Sequence, residues 1–97
     1  MKAIFIAYNQ AYNQEIVQLL SSLGQRGYTV WTEVGGCGSV SGEPHLGSHA
    51  WPAQNHAILT AVDDSLAPSI MDALRKTDAS NEALGLRAYV LPIEDSL

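Results

Sequence analysis

Tyr28-Thr29-Val30-Trp31-Thr32-Glu33-Val34 is the stretch on which the fold turns. Its β-branched and aromatic side chains suit a pleated strand, and nothing in it has helical spacing. Immediately after it the chain reads Gly35-Gly36-Cys37-Gly38, and regular patterning stops across residues 35–55. Gly42, Gly47, Pro44 and Pro52 add further breaks. So long a loop in a small domain is normally functional or disordered. Regularity resumes with Ala57-Ile58-Leu59-Thr60-Ala61-Val62, a second strand on the far side of the loop.

Upstream, Ile16, Leu19, Leu20 and Leu23 recur at helical spacing, and Gly24 and Gly27 end that stripe. Before it, Lys2 to Tyr8 is a short apolar run of strand length, and the tetrapeptide Ala-Tyr-Asn-Gln occurs twice, at 7–10 and 11–14. Asn9 or Asn13 can cap the helix that follows. Downstream, Ser65 is the expected cap of a second helix, with Pro68 in its first turn and Ala67, Ile70, Met71 and Leu74 on its apolar side. Arg75 and Lys76 suit that helix's carboxyl end. Asp63 and Asp64 read as capping residues rather than paired catalytic acids, and Met71 as core filler. A polar stretch ends at Gly85, and Leu86 to Ile93 supplies a fourth strand.

The element order is β-α-β-β-α-β, an α+β, ferredoxin-like arrangement: a four-stranded antiparallel sheet with two helices on one face. Residues 1–97 form one expected domain. The other sheet face, with aromatic residues such as Tyr28 or Trp31, is too apolar for open water and calls for oligomerisation. At 97 residues, 46% hydrophobic and 15% charged, the chain is globular in composition. Its net charge of −5 argues against nucleic acid and anionic lipid as partners. The single cysteine excludes an internal disulfide. No apolar run suits a signal peptide or a membrane span, so a cytoplasmic protein without direct membrane insertion is expected.

The segment Thr32-Glu33-Val34-Gly35-Gly36-Cys37-Gly38 resembles the Thr-Glu-Val-x-Gly-x-Gly segment of the P-II signalling proteins, at the same place in the fold. Ser41-Gly42 continues the match, and Val62-Asp63-Asp64 resembles the Val-Pro-Asp-Asp that opens that family's second helix. The resemblance implies a homotrimeric, non-enzymatic regulator. It implies that the 35–55 loop, the T-loop of the family, reaches a protein target, a membrane transporter among the candidates. It also implies an effector held near the loop base, with Gly35, Gly36, Cys37 and Gly38 as the expected effector-binding residues. Glycines there let backbone N–H groups approach an anion, or else form a bulged strand end. The chain departs from the family where lysine- and arginine-bearing segments hold ATP. Thr77-Asp78-Ala79-Ser80-Asn81-Glu82-Ala83-Leu84-Gly85 carries two carboxylates and one glycine, and Arg87 is the one cation left on the last strand. Asp78 and Glu82 would oppose a triphosphate, which argues against ATP. The loop also lacks the tyrosine modified in some relatives.

Cys37, His45 and His49 in the loop are candidate ligands for a divalent metal, zinc or copper. His45 and His49 are four apart and would share one side of a helical turn, although Gly47 lies between them. Glu43 and His56 lie nearby in sequence. The alternative function is therefore divalent metal binding or tolerance like that of the CutA proteins, which share this architecture. Trp51-Pro52 is an apolar pair suited to packing the loop or to contacting a partner. Ser39, Ser41 and Ser48 have no identifiable base beside them, so a nucleophilic enzyme is disfavoured.

Overall fold

In a computed structural model, which describes residues 1–37, 45–47 and 54–97, the strands are β1 (Lys2–Asn9), β2 (Thr29–Val34), β3 (Asn55–Val62) and β4 (Arg87–Pro92). The helices are α1 (Asn13–Ser22) and α2 (Ala67–Ser80). The sheet order is β2-β3-β1-β4, with every pair antiparallel. This is the βαββαβ arrangement read from the sequence.

Alternation along β1 decides which side is the core. Ile4, Ile6 and Tyr8 are fully buried and pair with Thr60, Ile58 and His56 of β3. Ile16 and Leu20 of α1 and Ala67, Ile70 and Leu74 of α2 close over that face. Met71 is partly buried against the same core, as filler. The intervening residues Ala3, Phe5 and Ala7 point to the opposite face and pair with Leu91, Tyr89 and Arg87 of β4. On that face Trp31, Tyr89 and Leu91 are 45%, 56% and 50% exposed. Trp31 thus lies where the alternation puts it. Tyr28 falls outside β2 and has the parity of Val30, which pairs with Ile58 on the helix side.

Thr60, buried in β3, is satisfied by groups distant in sequence, whereas the buried His56 Nδ1 has no hydrogen-bond partner among the described residues. The Thr60 hydroxyl donates to the Gly27 carbonyl at 2.6 Å and accepts from Gln25 Nε2 at 2.6 Å. Those bonds fasten the α1–β2 connection to β3. Helix ends differ from expectation. Asn9 caps a 3₁₀ turn over Gln10–Tyr12, accepting from the Ala11 N–H, and Asn13 accepts from the Tyr8 hydroxyl. The two copies of the repeated tetrapeptide therefore do different work. Ser65 is not the cap of α2; the helix starts at Ala67 after Leu66, and the Asp63 carbonyl accepts from the N–H groups of both. The α2 helix also continues past Arg75 and Lys76 to Ser80, which places those cations in its interior.

Burial pushes the Tyr8 hydroxyl up to about 12 from 10.0, with the nearby Tyr28 adding to it. A raised phenol favours folding below its ordinary value, and that contribution is lost as pH climbs through 12. Tyr8→Phe should cost about 1 kcal/mol at neutral pH, through the bond to Asn13. It should also flatten the loss of stability between pH 10 and 12, read by urea denaturation at each pH.

Candidate functional site

The site begins with a register shift in β2. Trp31 pairs with Ala57 and Val34 with Asn55, so three steps on β2 oppose two on β3. One extra residue returns Val34 to the same open face as Trp31, whereas strict alternation would turn it to the helices. Glu33 takes the strain, with φ 58° in the left-handed region. The bulge therefore precedes the glycines, at Thr32 and Glu33, and steers Gly35, Gly36 and Cys37 across the open face.

The base of the long loop is itself built by pairing. Gly36 and His45 exchange backbone hydrogen bonds of 2.8 and 2.6 Å, and Leu46 bridges Gln54. Gln54 accepts from the Gln10 N–H at 2.9 Å, tying the strut to the end of β1. His45 Nδ1 donates to Asn55 Oδ1 at 2.6 Å. Three of the described glycines sit where a Cβ would come too close to a neighbour, Gly47 against the Gln54 side chain at φ 67° among them. A Cβ on Gly36 would lie 2.5 Å from Asn55 Nδ2, and one on Gly85 would lie 2.8 Å from His45 Cε1, with Gly85 also at φ 57°. Asn9 Nδ2 donates to the Ala83 carbonyl at 3.2 Å, holding the segment that leads to Gly85.

These elements enclose a cleft of about 510 Å³. One wall is Val34, Gly35, Gly36 and Cys37; the opposite wall is Gly85, Arg87 and Tyr89; the floor is Phe5, Ala7, Trp31, Asn55 and Ala57. Arg87 is its cation, and its guanidinium also donates to the Leu86 carbonyl at 2.7 Å. Asp78, expected to repel a phosphate from this place, lies on the last turn of α2 and lines an adjoining hollow with Met71, Leu74, Arg75 and Arg87, the last shared with the cleft.

Of the residues singled out in the sequence, Gly35, Gly36 and Cys37 line the cleft, Cys37 in an exposed position. Gly38, His49, the serines of the loop and Trp51-Pro52 lie outside the described residues. His45 is in a β-bridge, not a helical turn, and its Nδ1 is engaged by Asn55. Among the described residues no three His, Cys, Asp or Glu side chains come together as a metal site. Asn55, 9% exposed, gave no signal in the sequence because its partner is in the loop.

The family model for Nitrogen regulatory protein P-II matches residues 1–97. No curated protein sequence matches significantly. Among solved structures, CPII from Thiomonas intermedia K12, bound to ADP and bicarbonate, superposes with a TM-score of 0.74 at 21% identity. That alignment covers 92% of this chain and 81% of CPII. A PII-like signalling protein from Thermus thermophilus superposes with a TM-score of 0.67 at 24% identity, again over 92% and 81% of the two chains. Further CPII structures carry ADP and AMP with acetate or bicarbonate.

Strain at the bulge gives a direct test. Glu33→Gly should raise stability by about 1 kcal/mol or less, since relief of the left-handed backbone is partly offset by glycine's chain entropy. Thermal and urea unfolding of the variant against the parent would measure it.

Proposed function

Because the chain belongs to the nitrogen regulatory protein P-II family, we propose that it is a non-catalytic sensor that binds a small anionic effector in the cleft at its loop base. The observation that carries this reading is convergence. The glycine-rich exit of β2 and the Gly85–Arg87 segment meet across one cavity, although they are far apart in sequence. Gly35, Gly36, Cys37 and Gly38 supply the backbone side of the site. Arg87 supplies the positive charge. One arginine suits AMP, ADP or bicarbonate better than ATP, whose triphosphate needs more cations. The ligands carried by the CPII structures support the same classes.

The protein assembles as a homotrimer through the open sheet face. Trp31, Leu59, Tyr89 and Leu91 together make an apolar surface that a lone subunit would leave in water. The loop spanning 35–55 then presents to a protein target in the cytoplasm, with a membrane transporter among the candidates. No helix of the described residues is long and apolar enough to cross a membrane. A second reading, divalent metal binding by Cys37, His45 and His49 in the manner of CutA proteins, is supported by one feature: the Gly36–His45 bridge brings Cys37 and His45 to the same loop base.

Sedimentation should give three times the 10.4 kDa subunit mass; a monomer at working concentration would remove the assembly. Calorimetry should show binding of ADP, AMP or bicarbonate, weakened roughly 10- to 100-fold by Arg87→Ala, the loss of a charge-assisted bond. If none of the three binds, the effector reading fails. Zinc or copper uptake that disappears in the His45→Ala/His49→Ala variant would establish the metal reading instead.

A further inference from the structure

His45 lies behind the cleft and outside its lining, yet it touches three residues of the cleft's surface. Its backbone pairs with Gly36, its Nδ1 donates to Asn55, and its Cε1 side packs over Gly85, where a Cβ would come within 2.8 Å. Those three residues come from the β2 exit, the start of β3 and the segment before β4. Asn55 is held between two neighbours: its Oδ1 faces His45, and its Nδ2 faces Gly36, where a Cβ would come within 2.5 Å and force the amide to shift. Removing the His45 donor would leave a nearly buried carbonyl oxygen without its partner, a state that costs more than the bond itself contributes. Movement of the loop strut would therefore require Asn55 to reorient.

We infer that His45 is a positioning residue: its Nδ1–H sets Asn55 and the Gly36 strand, and so ties the geometry of the cleft to the position of the long loop. This deepens the effector reading above and rests on it for its functional meaning, while the latch itself is a property of the protein without ligand. The latch needs a donor at the δ position of the side chain. Asparagine can place its Nδ2 there, glutamine reaches one atom too far, and alanine has no donor.

The decisive measurement is amide hydrogen exchange of the ligand-free protein at Gly36, His45 and Asn55, in the parent and in three variants. His45→Ala and His45→Gln should speed exchange at Gly36 and residue 45 at least tenfold, while His45→Asn stays within about threefold of the parent. Equal exchange in all four proteins overturns the inference, because the backbone pair would then stand without the side chain. Equal loss in all three variants also overturns it, because the ring's bulk and not its donor would be responsible. Should His45→Ala fold poorly, the Gln and Asn pair still decides the matter. Calorimetry with ADP and bicarbonate on the same proteins is scored separately. Absence of binding to the parent defeats the effector reading and leaves the exchange result to judge the latch. With a binding parent, affinity should fall in the Gln variant and persist in the Asn variant. Unchanged affinity in the Gln variant, with raised exchange, overturns the tie between loop and cleft.

Discussion

Strand β1, one of the two inner strands, is hydrogen-bonded on both edges and apolar on both faces, and the rest of the molecule is arranged around that constraint. Ile4, Ile6 and Tyr8 have two helices to cover them. On the other face Phe5 and Ala7, with Tyr89 and Trp31 beside them, line the cleft at the loop base. A sheet of this kind leaves one apolar face unfinished within its own chain. The cleft forms where that face meets the polar, glycine-rich ends of β2 and the β4 approach. Hydrophobic floor, glycine backbone and one guanidinium are thus neighbours as a consequence of sheet topology.

The single-residue bulge before Val34 converts that topology into a site. Without it, β2 would run on with regular alternation, and Val34 would turn toward the helices. With it, the chain turns over the open face, and Glu33 holds the left-handed conformation that makes the turn. Strain kept at such a place is typical of a site where geometry matters more than stability.

The element order was legible in the sequence because each segment has a clear period, and the helix stripes and strand runs fall within about one residue of the structure's elements, Tyr28 and Leu23 just outside theirs. The helix boundaries were less legible. Ser65 has good cap chemistry, yet the Asp63 carbonyl serves the first turn of α2 in its place. The polar run after Arg75 reads as a connection, but its first residues extend α2 to Ser80. That extension carries Asp78 on the last turn of α2, where it lines a hollow that shares Arg87 with the cleft. Gly35, Gly36 and Cys37 were found because glycine clustering is visible locally. Asn55, Gly85 and the role of His45 were not, since their meaning arises only when segments distant in sequence touch.

The strut at residues 45–47 also changes what kind of polymer the long excursion is. Pinned to Gly36 on one side and Gln54 on the other, it divides the excursion into two connections, 38–44 and 48–53. Loop-closure entropy grows only with the logarithm of length, by about 0.6 kcal/mol per doubling. Each connection can therefore gain or lose residues at small cost, and without displacing the other. The two connections can diverge in length separately over evolutionary time, while the base at Gly36, His45 and Gln54 stays the same.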